Sequence, residues 1–438
     1  MITFLNKIIQ WSKSQIKQLK SGDFKIFNHK IKKLILLFFI FILILFFFPL
    51  FLIIRIISNF ILIRFGLLPS RRIGHFANDV NLYLCTFKKK TFFQYDFFYP
   101  EKPICNFTLL KIYKKYLIVL PEIFILPFVL LNKIKFLGSP KHNIKLNPYA
   151  EAQDLRDRDI DDKKINYFNQ KDIQLGYSFL KDLGLSRDDK FVCLLCRDEE
   201  YVKNLFKQTY DVDYRNYGDI STFRNSNIEN FRLVSEYLTG LGYYVFRMGE
   251  KVSKSLSINN KRFFDYATSG KRNEFLDIFL SSHCDFFITT GSGLDILPAI
   301  FDRPIVLVSC AQVGWTRSSN KKQLTIFKHF KNKNDAKNLT LSEIFDFNLA
   351  GAKTDIFKEK QVEVIENTPE EIKEAVIDML ELMKNNFVVS EQNSYLQSKF
   401  WNLFKEKINK HGLTSMHANF FKSHIGYSFL KKNKNFLE

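Results

Sequence analysis

At 438 residues the chain is long enough for two α/β domains with appendages, because single hydrophobic cores rarely grow beyond about 250–300 residues. Its formal net charge of +20 accompanies 48 phenylalanines and 11 prolines, a composition typical of AT-rich genomes, which raises the lysine content whatever the function. The sequence contains neither a nucleic-acid reader motif nor an arginine-rich helix, so we do not expect nucleic acid as a partner.

The first 33 residues form a basic extension with eight lysines and one acid, Asp23. Residues 3–20 place apolar side chains among these lysines. This pattern is typical of an amphipathic helix at a membrane interface, and equally of a disordered basic tail.

A membrane segment is predicted at residues 34–66. Residues 34–54 contain no charged or polar side chain, and their 21 positions suffice for a helix across a bilayer core of about 30 Å. Lysines precede this run and Arg55 follows it. Because short basic flanks favour the cytoplasmic side, two such flanks, with Pro49 inside the run, favour a bent or re-entrant helix over a plain transmembrane anchor.

The expected location is the bacterial inner membrane, with the soluble domains facing the cytoplasm. The six cysteines mostly lie in apolar, strand-like contexts rather than at the regular spacings of a disulfide framework, which indicates a reducing compartment.

Residues 67–187 are interpreted as a first Rossmann-like domain. A short basic loop at 70–75 leads into a helix, and apolar runs at 92–99 and 116–131 supply the core. The second run carries Glu122 and two prolines, so we predict a buried or membrane-facing helix there rather than a second crossing.

Residues 188–390 are interpreted as a second Rossmann-like domain. Apolar strands alternate in it with helices of suitable length, which indicates a parallel sheet covered on both faces. The predicted strands are 191–196, 243–246, 263–264, 285–290 and 304–308, and the predicted helices are 228–241, 273–282 and 294–301. A capping box that begins at Thr368 starts the closing helix. Residues 391–438 are predicted to be a helical tail that packs back on the N-terminal domain.

The turn Gly291-Ser292-Gly293 is a candidate phosphate site. It joins a strand that ends at Thr290 to a helix that contains Asp295, and helix N-termini after parallel strands bind anions through free amides. The alternative is a tight strand-to-helix turn without a ligand. We include all five residues in the predicted substrate site.

Arginines near strand ends are further candidates. Arg197 and Asp198 follow the first strand of the second domain, whereas Arg215, Arg224 and Arg247 lie in loops or at strand ends. A guanidinium suits a diphosphate leaving group, whose negative charge grows as its bond breaks. Each arginine alone is more often a surface charge, so Arg197 and Arg247 are the two favoured individually, and Arg215 is included in the site.

Asp265 and Tyr266 complete the predicted substrate-binding set, in which the Asp265 carboxylate accepts from a ribose or sugar hydroxyl. Alternatively, Asp265 caps the following turn. In the first domain, Arg72 and Gly74 belong to the basic loop, which is a second anion-site candidate.

His75 is the candidate general base, because its pKa lies near the working pH. The alternative is a histidine that bonds the loop backbone, and Asp79, one turn later, is the competing base. An Asp-x-Asp motif occurs at Asp211 and Asp213, but in a polar loop rather than at a strand end, so we predict no metal site and no cofactor.

These segments together resemble a family of bacterial surface-polysaccharide glycosyltransferases. The resemblance covers roughly residues 70–435, and its combination of motifs is more specific than any single one. The residues that carry it are Arg72 to His75, Cys196 to Tyr201, Tyr214 to Asn216, Arg224 to Phe231, Gly242 to Gly249, Asp265 to Ser269 and Cys284 to Pro304.

The resemblance implies a GT-B fold of two facing Rossmann-like domains, with the nucleotide donor in the second, the acceptor in the first and usually no metal. It implies donor-side roles for Arg197, Arg247, Asp265 and the turn at 291–293, and an acceptor-side role for His75. The segment before residue 70 has no counterpart in the motif set.

The expected function is therefore transfer of a sugar from a nucleotide-sugar donor to a lipid-linked or surface-glycan acceptor at a membrane. A nucleotide-sugar epimerase of the same fold is one alternative, although it needs no membrane segment. A non-catalytic, membrane-tethered scaffold or glycan-binding protein is the other, and nucleotide sugars would not stabilise it.

Overall fold

The computed structural model describes residues 24–86, 93–134, 136–146, 165–204, 222–351, 354–384, 386, 388–413 and 421–438. The predictions made for residues 3–20, Asp211, Asp213 and Arg215 lie outside the described residues.

Helices and strands alternate along most of the described chain. The α-helices are α1 (Phe24–Ile56), α2 (Ile73–Thr86), α3 (Phe107–Tyr113), α4 (Glu122–Asn132), α5 (Gln170–Asp182), α6 (Arg232–Gly240), α7 (Glu274–His283), α8 (Ile296–Ile300), α9 (Leu341–Asp346), α10 (Thr354–Glu359), α11 (Pro369–Leu382), α12 (Glu391–Lys410) and α13 (Tyr427–Lys432). The strands are β1 (Leu62–Leu68), β2 (Gln94–Pro100), β3 (Ile118–Val119), β4 (Phe191–Leu195), β5 (Tyr244–Met248), β6 (Phe263–Phe264), β7 (Phe286–Thr289), β8 (Ile305–Cys310), β9 (Gln323–Phe327), β10 (His329–Asn332), β11 (Val362–Ile365) and β12 (His424–Ile425).

Two compact units make up the chain. The first contains Met1–Leu67, Lys89–Pro100 and Leu117–Lys145. The second contains Leu68–Lys88, Glu101–Tyr116 and Leu146–Glu438. Both units contain helices and strands. The division into two Rossmann-like domains, with the boundaries given above, stays a prediction.

The first unit contains a three-stranded sheet in the order β1-β2-β3, with β2 and β3 parallel. A bidentate ion pair, with both distances 2.7 Å, links Arg64 on β1 to Asp96 on β2. Helices α1 and α4 cover one face of this sheet through a small aromatic and aliphatic core around Phe51, Phe65 and Phe128.

Helix α1 lacks the chain reversal that a re-entrant membrane segment requires, whereas a bend at Pro49 stays a prediction. It continues without interruption from Phe24 to Ile56, with Pro49 inside it. A re-entrant segment requires the chain to reverse direction, and an uninterrupted helix of 33 residues, about 50 Å long, does not do so. Leu37–Asn59 is the one stretch of the described residues long and apolar enough to cross a membrane, and only 11% of its most apolar window is buried.

The second unit is built on a seven-stranded sheet in the order β12-β9-β8-β7-β4-β5-β6. Every paired neighbour in this sheet is parallel. The strands β4 and β7 are buried along their whole length and apolar except for Thr289 at the end of β7, since helices cover both faces. The predicted parallel sheet is thus confirmed, as is the capping box at Thr368, whose side chain accepts from the backbone N–H of Glu371.

Two local predictions differ from the structure. Helix α2 begins at Ile73, so Gly74 and His75 lie in its first turn rather than in a loop. Strand β12 pairs with β9 at the margin of the seven-stranded sheet, and Phe400 and Trp401 of α12 lie in the core of that sheet. The C-terminal segment therefore extends the seven-stranded sheet, whereas the sequence predicted that it packs on the N-terminal domain. The prediction differs because aromatic residues at helical spacing do not reveal which core they join.

Candidate functional site

A cavity of about 510 Å³ opens at the carboxyl ends of β4 and β7 in the second unit. From β4 the chain continues to β5 and β6 on one side, and then returns to β7 on the other side of β4. Ligands of open α/β sheets bind at such a switch point, outside the carboxyl ends of the strands. The Arg197 backbone N–H, just after β4, donates to Thr290 Oγ1, just after β7, at 2.9 Å.

Most of the predicted site residues line this cavity. They are Arg72, Gly74, His75, Asp79, Arg197, Asp198, Thr290, Gly291, Ser292, Gly293 and Asp295. The structure therefore brings the start of α2 together with both strand ends, each more than 100 residues further along the chain. All of these residues belong to the second compact unit.

Gly74 and Gly293 join these segments by direct backbone contact. A Cβ added to Gly74 would lie 2.8 Å from Gly293 Cα, and one added to Gly293 would lie 2.9 Å from the Gly74 nitrogen. Real Cβ atoms do not tolerate such distances from backbone atoms. The first turn of α2 can approach the turn after β7 only because both positions are glycine.

The turn after β7 is closed by its own carboxylate. Asp295 Oδ2 accepts from the Ser292 backbone N–H at 3.0 Å and from Thr289 Oγ1 at 3.2 Å. The Gly291 N–H donates to Thr289 Oγ1 at 3.1 Å, and its positive φ of 83° suits glycine. The turn faces the cavity as expected, but two of the amides proposed to bind phosphate already have internal acceptors.

Three arginines without a carboxylate partner among the described ion pairs contribute positive charge to the cavity. Arg72, Arg197 and Arg224 all line it, and their charges lie close enough to interact. Burial, with the neighbouring Arg224 and Arg72 cations, lowers the pKa of Arg197 to about 9, and burial likewise lowers the pKa of Arg224. Because guanidinium groups stay protonated in proteins, these shifts mean that three like charges repel one another in a partly desolvated site.

Hydrogen bonds to neutral groups hold two of these arginines. Arg224 Nη2 donates to the Gly291 carbonyl at 2.9 Å, and Arg197 Nε donates to Asn225 Oδ1 at 3.3 Å. The ion pairs found among the described residues include none of the three arginines. The Asp198 and Asp295 carboxylates act on Arg197 and Arg224 without forming ion pairs with them, so an anionic ligand could bind all three arginines directly.

Two other arginines of the cavity are already paired. Arg317 Nη2 lies 2.8 Å from Asp295 Oδ1, and Arg272 Nη2 lies 2.6 Å from Asp277 Oδ2. Burial raises the pKa of Asp277 to about 6, although the adjacent Arg272 opposes the shift. These pairs fix the walls of the cavity and leave little net charge of their own.

His75 and Asp79 form a hydrogen-bonded pair on the cavity side of α2. His75 Nδ1 lies 3.3 Å from Asp79 Oδ2, as the spacing of four residues on one helix allows. The imidazole is half exposed, whereas Asp79 is buried. The hydrogen bond to Asp79 raises the pKa of His75 above its ordinary value, although burial opposes the shift. The buried Asp79 carboxylate can therefore orient the His75 ring and stabilise its protonated form.

Arg247, Asp265 and Tyr266 do not line this cavity. Arg247 is only 1% exposed, and its guanidinium donates to Asp265 Oδ1 at 3.2 Å and to the Lys254 carbonyl at 2.9 Å. Asp265 Oδ2 accepts from the Leu256 N–H at 2.8 Å. Arg247 and Asp265 thus hold the loop after β5 in place, and Arg247 lines a separate cavity of about 260 Å³. Contact of these residues with substrate stays a prediction.

Asp198 lines the cavity, but its carboxylate also accepts hydrogen bonds from within the protein. Its Oδ2 accepts from both the backbone N–H and the hydroxyl of Ser253, at 2.7 and 3.0 Å. Its role in the structure is to tie the segment after β4 to the loop after β5.

Several other residues line the cavity but are not in the set of site residues predicted from the sequence. They are Asn78, Cys105, Asn106, Tyr201, Arg224, Glu250, Lys251, Arg272, Asp277, Gln312, Trp315 and Arg317. Arg224 is one of the loop arginines, and no local sequence pattern distinguishes it from a surface charge. Among the described residues, no group of three His, Cys, Asp or Glu side chains could hold a metal ion.

No protein-family model matches the chain, and no curated protein matches it. Among solved structures it is similar to the ADP-heptose lipopolysaccharide heptosyltransferase II of E. coli, with 12% identity, a TM-score of 0.40, and coverage of 73% of this chain and 98% of that one. A glycosyl transferase family 9 protein from Veillonella parvula gives 10% identity, a TM-score of 0.39, and coverage of 72% and 96%. The heptosyltransferase TibC gives 14% identity, a TM-score of 0.28, and coverage of 57% and 58%. At these identities the activities in those names do not transfer to this chain.

Proposed function

We propose that this chain is a glycosyltransferase that binds a nucleotide-diphosphate sugar in the cavity between the ends of β4 and β7. The observation that carries the proposal is the group of Arg72, Arg197 and Arg224, three cations without a carboxylate partner among the described ion pairs, at the switch point of a parallel sheet. A diphosphate brings the negative charge that relieves their mutual repulsion.

The same charges serve the reaction. As the bond from the sugar to the diphosphate breaks, negative charge grows on the departing oxygen, and fixed guanidinium groups stabilise it without reorganisation. They can supply the positive charge that a divalent cation supplies in metal-dependent transferases. We therefore expect full activity in the presence of a chelator.

The acceptor hydroxyl would be deprotonated by His75. Its imidazole is half exposed in the cavity, and Asp79 can hold the ring and stabilise its protonated form after the transfer. Direct displacement, with inversion at the sugar carbon, is the expected course. The proposed roles are thus leaving-group stabilisation by arginines and proton removal by a carboxylate-oriented histidine.

The proposed acceptor is a lipid-linked or surface glycan, reached from the cytoplasmic face of a bacterial inner membrane. Helix α1, long, apolar and largely unburied, supports membrane attachment. The proposed arrangement is of GT-B type, with the donor bound in the predicted domain of residues 188–390 and the acceptor in that of residues 67–187.

Nucleotide-dependent stabilisation tests the proposal most directly. The full chain in detergent is screened by thermal shift with ADP-, UDP-, GDP- and CMP-activated sugars, with and without a chelator. Since a ligand at 100 times its Kd stabilises by about 2.7 kcal/mol, binding should raise Tm by several degrees. CMP-sugars carry one phosphate and serve as the matched control, so the shift should be larger with a diphosphate donor.

The outcomes separate the candidate functions. Stabilisation by a diphosphate sugar, followed by release of nucleoside diphosphate only when an acceptor glycan is added, supports the transferase. Conversion of the sugar without an acceptor would instead show an epimerase. No stabilisation by any nucleotide sugar would contradict the proposal and leave a scaffold.

A further inference from the structure

We propose that α1 and α4 together form a bilayer-embedded layer, so that α4, which is too short to cross a membrane, also contacts lipid. This inference deepens the membrane attachment proposed above. It is independent of the transferase chemistry and can fail or stand separately from it.

The inner face of the layer packs on the three-stranded sheet. Along α1, Ile44, Phe47, Phe48, Phe51 and Ile54 face this core at the spacing of one helix face. Phe128 of α4 lies 5.5 Å from Phe47 and 4.6 Å from Phe65 of β1, measured between ring centroids. The two helices and the sheet are therefore one packed body.

The outer face of the layer is also apolar. On α1, Leu45, Phe46 and Ile53 are exposed, and Phe46 is 74% exposed. On α4, Ile123 and Phe124 are 51% and 49% exposed. A helix that covers a sheet in water carries polar residues on its outer face, whereas a helix that is apolar all round is either buried or in a membrane.

Helix α4 has the composition of a membrane element despite its length. After Glu122 it contains no charged residue until Lys133, which follows its last residue, Asn132. Its 11 residues span about 16 Å, roughly half of a bilayer core of about 30 Å. It can therefore enter one leaflet beside α1 but cannot cross the membrane.

The charges at the helix ends favour lipid over a protein partner as the occupant. Lys30, Lys32 and Lys33 precede the apolar part of α1, Arg55 follows it, and Lys133 follows α4. Cations near a membrane surface are attracted to anionic headgroups by about 1 kcal/mol each. An apolar surface bounded by cations matches a bilayer, in which apolar chains lie between charged headgroup layers.

Quenching by brominated lipids tests the inference on the full chain. Single variants F124W and F46W are reconstituted in vesicles of equal parts phosphatidylcholine and phosphatidylglycerol, with plain or brominated acyl chains, and compared with the parent chain to subtract the native tryptophans. Y395W is the matched control, because Tyr395 is 65% exposed on α12 of the second unit. A further variant, I123W, reports on the same surface if F124W folds poorly.

Most of the tryptophan emission added by F124W, I123W and F46W should be lost in brominated vesicles, whereas that added by Y395W should be retained. Loss for F46W but retention for both α4 variants would show that α1 alone enters the bilayer, which contradicts the inference. Retention for all variants would show that protein, such as a second copy of the chain, covers the layer. Neither result bears on nucleotide-sugar binding.

Discussion

Gly74 and Gly293 are in contact through their backbones, and neither position has room for a side chain. We expect G74A and G293A each to force the start of α2 away from the turn after β7. Overpacking of this kind costs about 1–3 kcal/mol, so Tm should fall and donor binding should weaken. Thermal unfolding and donor titration of both variants measure this.

Gly240 provides the control for that experiment. A Cβ there would meet nothing within 4 Å, and this glycine is the last residue of α6. G240A should therefore be neutral or stabilise by up to about 1 kcal/mol. If G74A and G293A behave like G240A, the two segments are not held by this contact.

The sequence predicted which residues lie near one another wherever local pattern and topology agree. Continuous apolar runs identified β4 and β7, and the carboxyl ends of parallel strands meet at one edge, so Arg197, Thr290 and Gly291 were expected to lie together. Their contact, from the Arg197 N–H to Thr290 Oγ1, confirms that expectation.

The features of the candidate site that the sequence did not predict depend on the direction of side chains and on contacts between distant segments. Arg247 lies within β5 rather than after it, and its side chain turns to Asp265, which no spacing reveals. Arg224 reaches the cavity because the loop that carries it returns to Arg197 and Gly291. The hydrogen bond from the Ser292 N–H to the Asp295 carboxylate likewise depends on how the turn is folded, which the sequence does not reveal.

Replacing Arg197 should weaken binding of the donor without lowering the stability of the ligand-free protein. R197Q removes one of three mutually repelling cations, so the Tm of the ligand-free protein should stay unchanged or rise. The loss of a hydrogen bond to a charged phosphate, worth about 1.5–3 kcal/mol, should weaken donor binding about 10- to 150-fold. Isothermal titration with the best donor, together with thermal unfolding without ligand, gives both quantities.

Arg232 serves as the matched control for Arg197. It lies at the surface, in an ion pair with Glu229, and not in the cavity. R232Q should leave donor affinity unchanged. A lowered Tm for ligand-free R197Q, with donor affinity intact, would show that Arg197 is structural and would contradict the role proposed for the arginine group.

Replacing Arg247 should lower the stability of the protein without weakening binding of the donor. Breaking a buried ion pair by removing one partner costs about 3–5 kcal/mol, because the other charge stays buried. R247M should therefore lower the free energy of unfolding strongly and leave Asp265 without its cation. Donor affinity, measured well below the lowered Tm, should change little, since Arg247 does not line the cavity.

The control for R247M is D265N together with the double variant R247M/D265N. If the pair acts as a unit, the double variant should lose less than the sum of the two single losses in free energy of unfolding. A large loss of donor affinity at full stability in R247M would restore Arg247 to the substrate site.

The pair of His75 and Asp79 predicts the pH dependence of transfer. His75 can accept a proton only when neutral, and the Asp79 carboxylate raises its pKa above 6.5, so kcat/KM should rise with pH through a midpoint above that value. D79N removes the cause of the shift and should move the midpoint to lower pH while reducing kcat, because the ring loses its orienting partner. H75A should lower kcat by about 10²- to 10⁴-fold with donor affinity preserved. A pH profile of H75A that keeps the same acidic limb would assign proton removal to another group.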